Sequence, residues 1–180
     1  MHQILIHGPQ GCGKGTQAAL LSRRLGIPQF SMGYLLRQIV KQDPGQEIAK
    51  IIAGGNLVAD EIAMKVLGDR LSQSDTHTGF ILDGFPREIG QFLAFDKTIQ
   101  PTLVIYIKIS QEESIARLLK RAVLEGREDD NLVTIKHRLQ IFYKETVPVI
   151  EMYRSRGLVR EIDGSGPIPE VEAQIAALFR

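Results

Sequence analysis

What this sequence lacks narrows its class before any motif is read. Its 180 residues contain one cysteine, Cys12, so no intrachain disulfide and no cysteine-built zinc site can form, which fits a reducing compartment. Net charge is nearly absent: 22 Lys and Arg against 21 Asp and Glu leave +1, which argues against a nucleic-acid tail or an acidic partner-binding segment. Any basic site has to be local. No apolar run approaches a membrane span, and no charged segment precedes the short run Ile4-Leu5-Ile6, so neither a signal nor an anchor is expected and the cytoplasm is the default. Repeats and low-complexity tracts are missing too, and the length fits one domain with room for small insertions.

What is present is concentrated at the start. Gly8-Pro9-Gln10-Gly11-Cys12-Gly13-Lys14-Gly15-Thr16 joins an apolar run to a helical pattern from Gln17 to Leu25. Glycines at 8, 11, 13 and 15 let the backbone turn tightly and point successive N–H groups inward, at a helix N-terminus whose dipole favours anions. Lys14 adds the full charge. The spacing is that of a phosphate loop, except that Gly15 takes the usual Ser/Thr position and the hydroxyl comes one residue later, on Thr16.

Further along, strands are expected at Gln3 to His7, Gln29 to Ser31, Phe80 to Leu82, Leu103 to Ile109 and Leu158 to Ile162. Helices are expected at Gly33 to Lys41, Glu47 to Ala53, Asp60 to Gln73, around Gln91 to Phe95, after a capping box at Ser110 to Glu113, from Leu132 to Arg154, and from Val171 to Phe179. Gly26, ahead of Ile27-Pro28, ends the first helix, and Pro148 should kink or break the long one. Strands alternating with helices imply an α/β fold with a parallel sheet, whose ligands sit at the carboxyl ends of the strands. The phosphate loop, Ser31, Asp83 and Asp163 all follow strands and should share one rim.

Two sets of side chains suit phosphoryl transfer, which needs phosphates held in line and their charge neutralised. Arg37, Arg87, Arg117, Arg121, Arg127 and Arg138 fall in or beside the segments that would surround the rim; any one alone reads as a surface cation, but the cluster reads as phosphate clamps. Asp83, after an apolar strand, could hold Mg2+ or its waters, or could simply cap the bend at Gly84.

Three stretches together resemble the signatures of adenylate kinase and the wider nucleoside monophosphate kinases: the loop ending Lys14-Gly15-Thr16-Gln17, Asp83-Gly84-Phe85-Pro86-Arg87 with Gln91, and Gly126-Arg127-Glu128-Asp129-Asp130. The resemblance runs from the first strand to the last loop. It implies a P-loop kinase three-layer sandwich with a five-stranded parallel sheet, a helical insertion for the nucleoside monophosphate at about 31–59, and a short lid at about 122–131. The core would comprise 1–30, 60–121 and 132–180.

It also implies roles. Gly11, Cys12, Gly13, Lys14, Gly15 and Thr16 would cradle the phosphates of donor ATP, with Arg117 against its adenine and the backbone from Gly164 through Gly166 to Pro167 beside its base. Ser31, Met32, Gly33, Arg37, Leu57, Val58, Gly84, Arg87 and Gln91 would form the AMP site, Gln91 bonding adenine. Arg121, Arg127 and Arg138 would converge on the phosphates, Asp129 orienting the lid arginines and Asp83 anchoring magnesium through water. The reaction implied is reversible phosphoryl transfer from Mg-ATP to AMP, by a monomer that binds neither nucleic acid nor membrane and carries no structural zinc.

Departures bear on specificity. Met32 stands where adenylate kinases usually carry threonine, which removes a hydroxyl that bonds the acceptor adenine, so a UMP/CMP kinase stays open beside the AMP reading, as does an inactive nucleotide-binding regulatory module. Gln91 favours AMP, because a site that hydrogen-bonds a base discriminates better than an apolar one. Cys12 could have its thiol acidified by the loop dipoles and Lys14, or could be a small packing residue. His7 reads as an ordinary strand residue, and His2, His77 and His137 have no spacing that suggests a metal or catalysis.

Overall fold

The computed structural model describes residues 1–43, 47–125 and 131–179. Five strands form one sheet: β1 (His2–His7), β2 (Gln29–Ser31), β3 (Gly79–Asp83), β4 (Leu103–Lys108) and β5 (Val159–Asp163). Their order is β2-β3-β1-β4-β5 and every neighbouring pair is parallel, as an alternating strand and helix pattern requires. Register aligns the carboxyl ends, with Ile6 and Ser31 both opposite Asp83 and Lys108 opposite Asp163.

Helices fill the crossovers. α1 (Lys14–Leu25) follows β1; α2 (Met32–Gln42), α3 (Glu47–Ala53) and α4 (Asp60–Leu71) lie between β2 and β3; α5 (Ile89–Asp96) follows β3. α6 (Gln111–Glu125), α7 (Leu132–Ile141) and α8 (Val147–Arg154) join β4 to β5, and α9 (Ile168–Ala176) follows β5. Alternation along the strands sorts the apolar residues onto two faces. Ile4, Ile6, Ile81, Ile105, Ile107 and Ile162 pack with Ala18 and Leu21 of α1 and Val171 and Ile175 of α9. Leu5, Leu82, Val104 and Tyr106 pack on the other face with Phe92, Val149, Ile150 and Tyr153. Each fully buried Ile or Leu contributes about 1.5–3 kcal/mol of transfer free energy, so these two layers hold the strand ends rigidly in place.

Several elements depart from the expected bounds, and three features show why. The helix expected from Leu132 to Arg154 breaks ahead of Pro148, as that proline required, into α7 and α8 separated by a turn of π-helix at Phe142–Thr146, in which the Val147 N–H reaches the Phe142 carbonyl. Pro148 has no N–H to return to Lys144 and its ring would strike that carbonyl, so the widened turn ahead of it takes up the misfit. α1 begins at Lys14 rather than Gln17, because Gly13 turns through the left-handed region (φ 92°) as its N-cap. At Ser110 half of the capping box forms: the Ser110 Oγ accepts the Glu113 N–H at 3.1 Å, while the Glu113 carboxylate turns to Arg117 at 2.6 Å.

Candidate active site

One cavity of about 850 Å³ opens along the carboxyl ends of the strands. Its phosphate-binding wall is the loop between β1 and α1. Gly11 sits at φ 84°, and a Cβ there would stand 2.9 Å from the Ser114 backbone carbonyl, so the loop packs on α6 at a distance only glycine permits. Gly13, the N-cap of α1, has no side chain to cap the first turn, and that turn lines the cleft with the helix dipole behind it. The Lys14 ammonium donates to the Gly8 and Pro9 carbonyls at 2.7 and 2.8 Å, which holds its charge over the loop.

Most residues named from the sequence meet here. Gly11, Gly13, Lys14, Gly15 and Thr16 line the cavity, and so do Ser31, Met32, Arg37, Leu57 and Val58. Asp83, Arg87, Gln91, Arg117, Arg121 and Arg138 complete that set. Cys12, Gly84 and Gly166 do not line it. The Cys12 side chain is 2% exposed and packs behind the loop in the Ile4 and Ile6 layer. Burial raises its thiol pKa by more than Lys14 lowers it, so Cys12 stays a thiol and the acidified reading is corrected. Gly84 lines a smaller chamber, and Gly166 sits against Glu170 in the loop after β5. Arg127 and Asp129 lie outside the described residues.

Arg87 is held through both its side chain and its backbone. Its Nε donates to the Gly84 carbonyl at 2.6 Å, its N–H to Gln91 Oε1 at 3.0 Å, and its carbonyl accepts from Thr146 Oγ1 at 2.8 Å. The π-turn therefore does more than accommodate Pro148: it presents Thr146 to the backbone of Arg87. Gln91 is 2% exposed, and its Nε2 donates to Glu88 at 2.8 Å, so both ends of its amide are engaged within the protein. Asp83, 8% exposed, accepts from Ser31 beside Lys14, Arg87 and Arg37; burial raises its pKa and the three cations oppose that. A buried carboxylate so placed, with Thr16 in the same cavity, fits a hard divalent cation, which would restore the solvation that burial removes. Arg117 bridges α6 to the loop after β5, donating to the Gly164 and Ser165 carbonyls at 3.0 and 3.1 Å.

Sequence reasoning missed four residues. His7, 1% exposed, lines a chamber of about 40 Å³ with Lys14, Arg87 and Arg138. Burial first, then those two neighbouring cations Lys14 and Arg87, lower its pKa from 6.5 to about 3, so its ring is neutral. Its position one residue before the loop was the available signal. Thr146 had none, since its partner is 59 residues away. His137 Nε2 meets Asn56 Oδ1 at 2.8 Å, tying α7 to the segment between α3 and α4, where Gly55 (φ 80°) also lets Arg138 approach. Arg70 of α4 lines the cleft as well. Among the described residues, no group of three or more metal-ligating side chains occurs and no helix is long and apolar enough to cross a membrane.

A parallel five-stranded sheet, a phosphate loop opening α1, and guanidinium groups across the cleft define a nucleotide-binding phosphotransferase of the P-loop type. The family model described as adenylate kinase matches residues 6–158. An adenylate kinase of Clavibacter michiganensis subsp. michiganensis is 39% identical over 184 residues, covering 98% of this chain and 92% of its own. One from Micrococcus luteus is 40% identical over 182 residues, covering 97% of this chain and 89% of its own. One from Leptospira biflexa is 39% identical over 178 residues, covering 95% and 96%. The chain belongs to the adenylate kinase family.

Proposed function

We propose that the chain reversibly transfers the γ-phosphoryl group of Mg-ATP to AMP, giving two ADP. The observation that carries this reading is that Gly11, Gly13, Lys14, Gly15 and Thr16 of the loop and Arg37, Arg87 and Arg138 line a single cleft rather than separate sites. In this reading the loop N–H groups and Lys14 hold the donor phosphates while Arg37 and Arg87 grip the acceptor phosphate. Arg121 and Arg138, joined by Arg127 with Asp129 orienting it, neutralise charge on the group in transit. Arg117 and the backbone at Gly164 to Gly166 border the donor base; Leu57 and Val58 run along the acceptor sugar and base. Gln91 sits at the acceptor base and keeps Arg87 in place through its backbone N–H.

Asp83, with Thr16 beside the phosphates, is where magnesium would be held, and the ion would supply further neutralisation of phosphate charge. The side chains themselves form no covalent intermediate and no general base is required; they align, neutralise and exclude water. The helices between residues 31 and 59 serve as the acceptor insertion, residues 122–131 as the short lid, and the remainder as the core. Ties such as His137 to Asn56 favour an insertion folded over the cleft. The reading extends to a monomer in the cytoplasm, which size-exclusion chromatography and cell fractionation test.

A coupled assay of ADP formation from ATP with AMP, UMP, CMP or GMP tests the reaction. AMP is expected to give the highest kcat/KM. Preference for a pyrimidine monophosphate would replace AMP as acceptor, and no transfer to any acceptor would leave a nucleotide-binding module in place of an enzyme.

A further inference from the structure

The acceptor end of the cleft has too few groups of the kind that recognise a base. Met32 carries no hydroxyl and is 3% exposed, and both amide atoms of Gln91 are engaged, one with Arg87 and one with Glu88. Around them stand Phe30, Leu36, Val58 and Ala63, all apolar. An apolar pocket separates one base from another only weakly. Among these apolar groups lies one cationic side chain that the family motifs do not include.

Arg70 projects from the last turn of α4, and its side chain is 14% exposed. Its guanidinium carbon stands 4.6 Å from the centroid of the Phe30 ring. Its two terminal nitrogens each donate to one Asp75 oxygen at 2.8 Å, and this pairing holds the Asp75 carboxyl below its ordinary pKa. The guanidinium thus lies over an aromatic ring and its outer edge is pinned by a carboxylate. Such a plane is fixed before any ligand arrives, and a guanidinium plane stacks well on a nucleobase.

We propose that Arg70 holds the acceptor base, stacking its second face on the base so that Phe30, Arg70 and the base form one column. The proposal rests on the assignment of this end of the cleft to the acceptor nucleotide. The planar group supplies π-face contact where Met32 cannot supply a hydrogen bond, and Asp75 acts as a positioning residue that keeps the plane from rotating. Base stacking of this kind is worth about 1–3 kcal/mol, roughly 5- to 150-fold in affinity.

Calorimetric titration of AMP and of ribose 5-phosphate, which lacks a base, into the full chain and its variants tests the column. Arg70→Met is expected to raise the Kd for AMP about tenfold while changing that for ribose 5-phosphate less than about twofold. Arg70→Lys, which keeps charge without the plane, should lose nearly as much. Asp75→Asn leaves Arg70 in place but unpinned, and should weaken AMP about threefold; it keeps the test decisive if Arg70→Met does not fold. An AMP Kd unchanged in Arg70→Met and Arg70→Lys, or equal losses for AMP and ribose 5-phosphate, would overturn the stack. Failure of the unaltered chain to bind AMP would instead overturn the acceptor-site assignment, and the stack with it.

Discussion

At the phosphate end of the cleft the groups facing a ligand are backbone amides of a glycine-rich turn, an ammonium and several guanidiniums; at the base end they are Phe30, Met32, Leu36, Val58 and Ala63, with Arg70 among them. The first end is electrostatic and is held by short-range geometry: a left-handed glycine, an uncapped helix, a lysine folded onto its own loop. The second is a packed apolar wall assembled from β2, α2, the 57–58 segment and α4. The contrast separates two tasks. Charge neutralisation supplies the chemistry and is indifferent to which base arrives, whereas shape and stacking at the far end hold the base and leave the chemical step alone.

The largest expected effect breaks the phosphate end. Arg87→Ala should lower kcat/KM by about 4 kcal/mol, near a thousandfold, and by a similar factor for AMP and UMP, because the lost contact is to phosphate. Steady-state kinetics with both acceptors checks it, and a loss confined to AMP would blur the division.

Next in size is a stability effect at the same end. Because the folded His7 pKa is lowered from 6.5 to about 3, the unfolded chain binds a proton at this residue across that window and the folded chain does not. Stability is therefore lost as pH falls below 6.5, by about 2 kcal/mol at pH 5. His7→Leu removes the slope, so urea unfolding should show its stability relative to the unaltered chain improving by about 2 kcal/mol between pH 7 and pH 5. Asp83 titrates in both proteins and cancels from the difference. A pH-independent difference would show that His7 does not carry this cost.

Thr146→Val tests whether the π-turn serves Arg87. Losing the 2.8 Å bond to the Arg87 carbonyl should cost about 1 kcal/mol in kcat/KM for both acceptors alike, with Thr146→Ser restoring most of it. A fall in thermal stability without a kinetic change would assign Thr146 to folding alone. The smallest effect sharpens the base end: Met32→Thr should raise the AMP over UMP preference by about 1 kcal/mol or less, read from the ratio of kcat/KM values.

The same division explains what the sequence made legible. β2 and α3 have the bounds expected of them, and the loop, Asp83 and the arginines outside 126–130 fall along one rim as inferred. Each is marked locally, by glycine spacing, an apolar run before a turn, or a charge where a charge is costly to hold. Arg70, Thr146 and the His137 to Asn56 tie left no such mark. Arg70 has the look of a cation in the last turn of a helix, and only the fold sets it over Phe30, 40 residues away in the chain. Gln91 shows the converse: the motif locates it, but its bonds to Arg87 and Glu88 appear only when α5 is packed.

The most direct measurement is a crystal structure with a bisubstrate dinucleoside polyphosphate bound. The expected result is Lys14, Arg37 and Arg87 within about 3 Å of phosphate oxygens, loop amides facing the donor end, and one base among Phe30, Met32 and Arg70. A polyphosphate lying away from Lys14, Arg37 and Arg87 would contradict it.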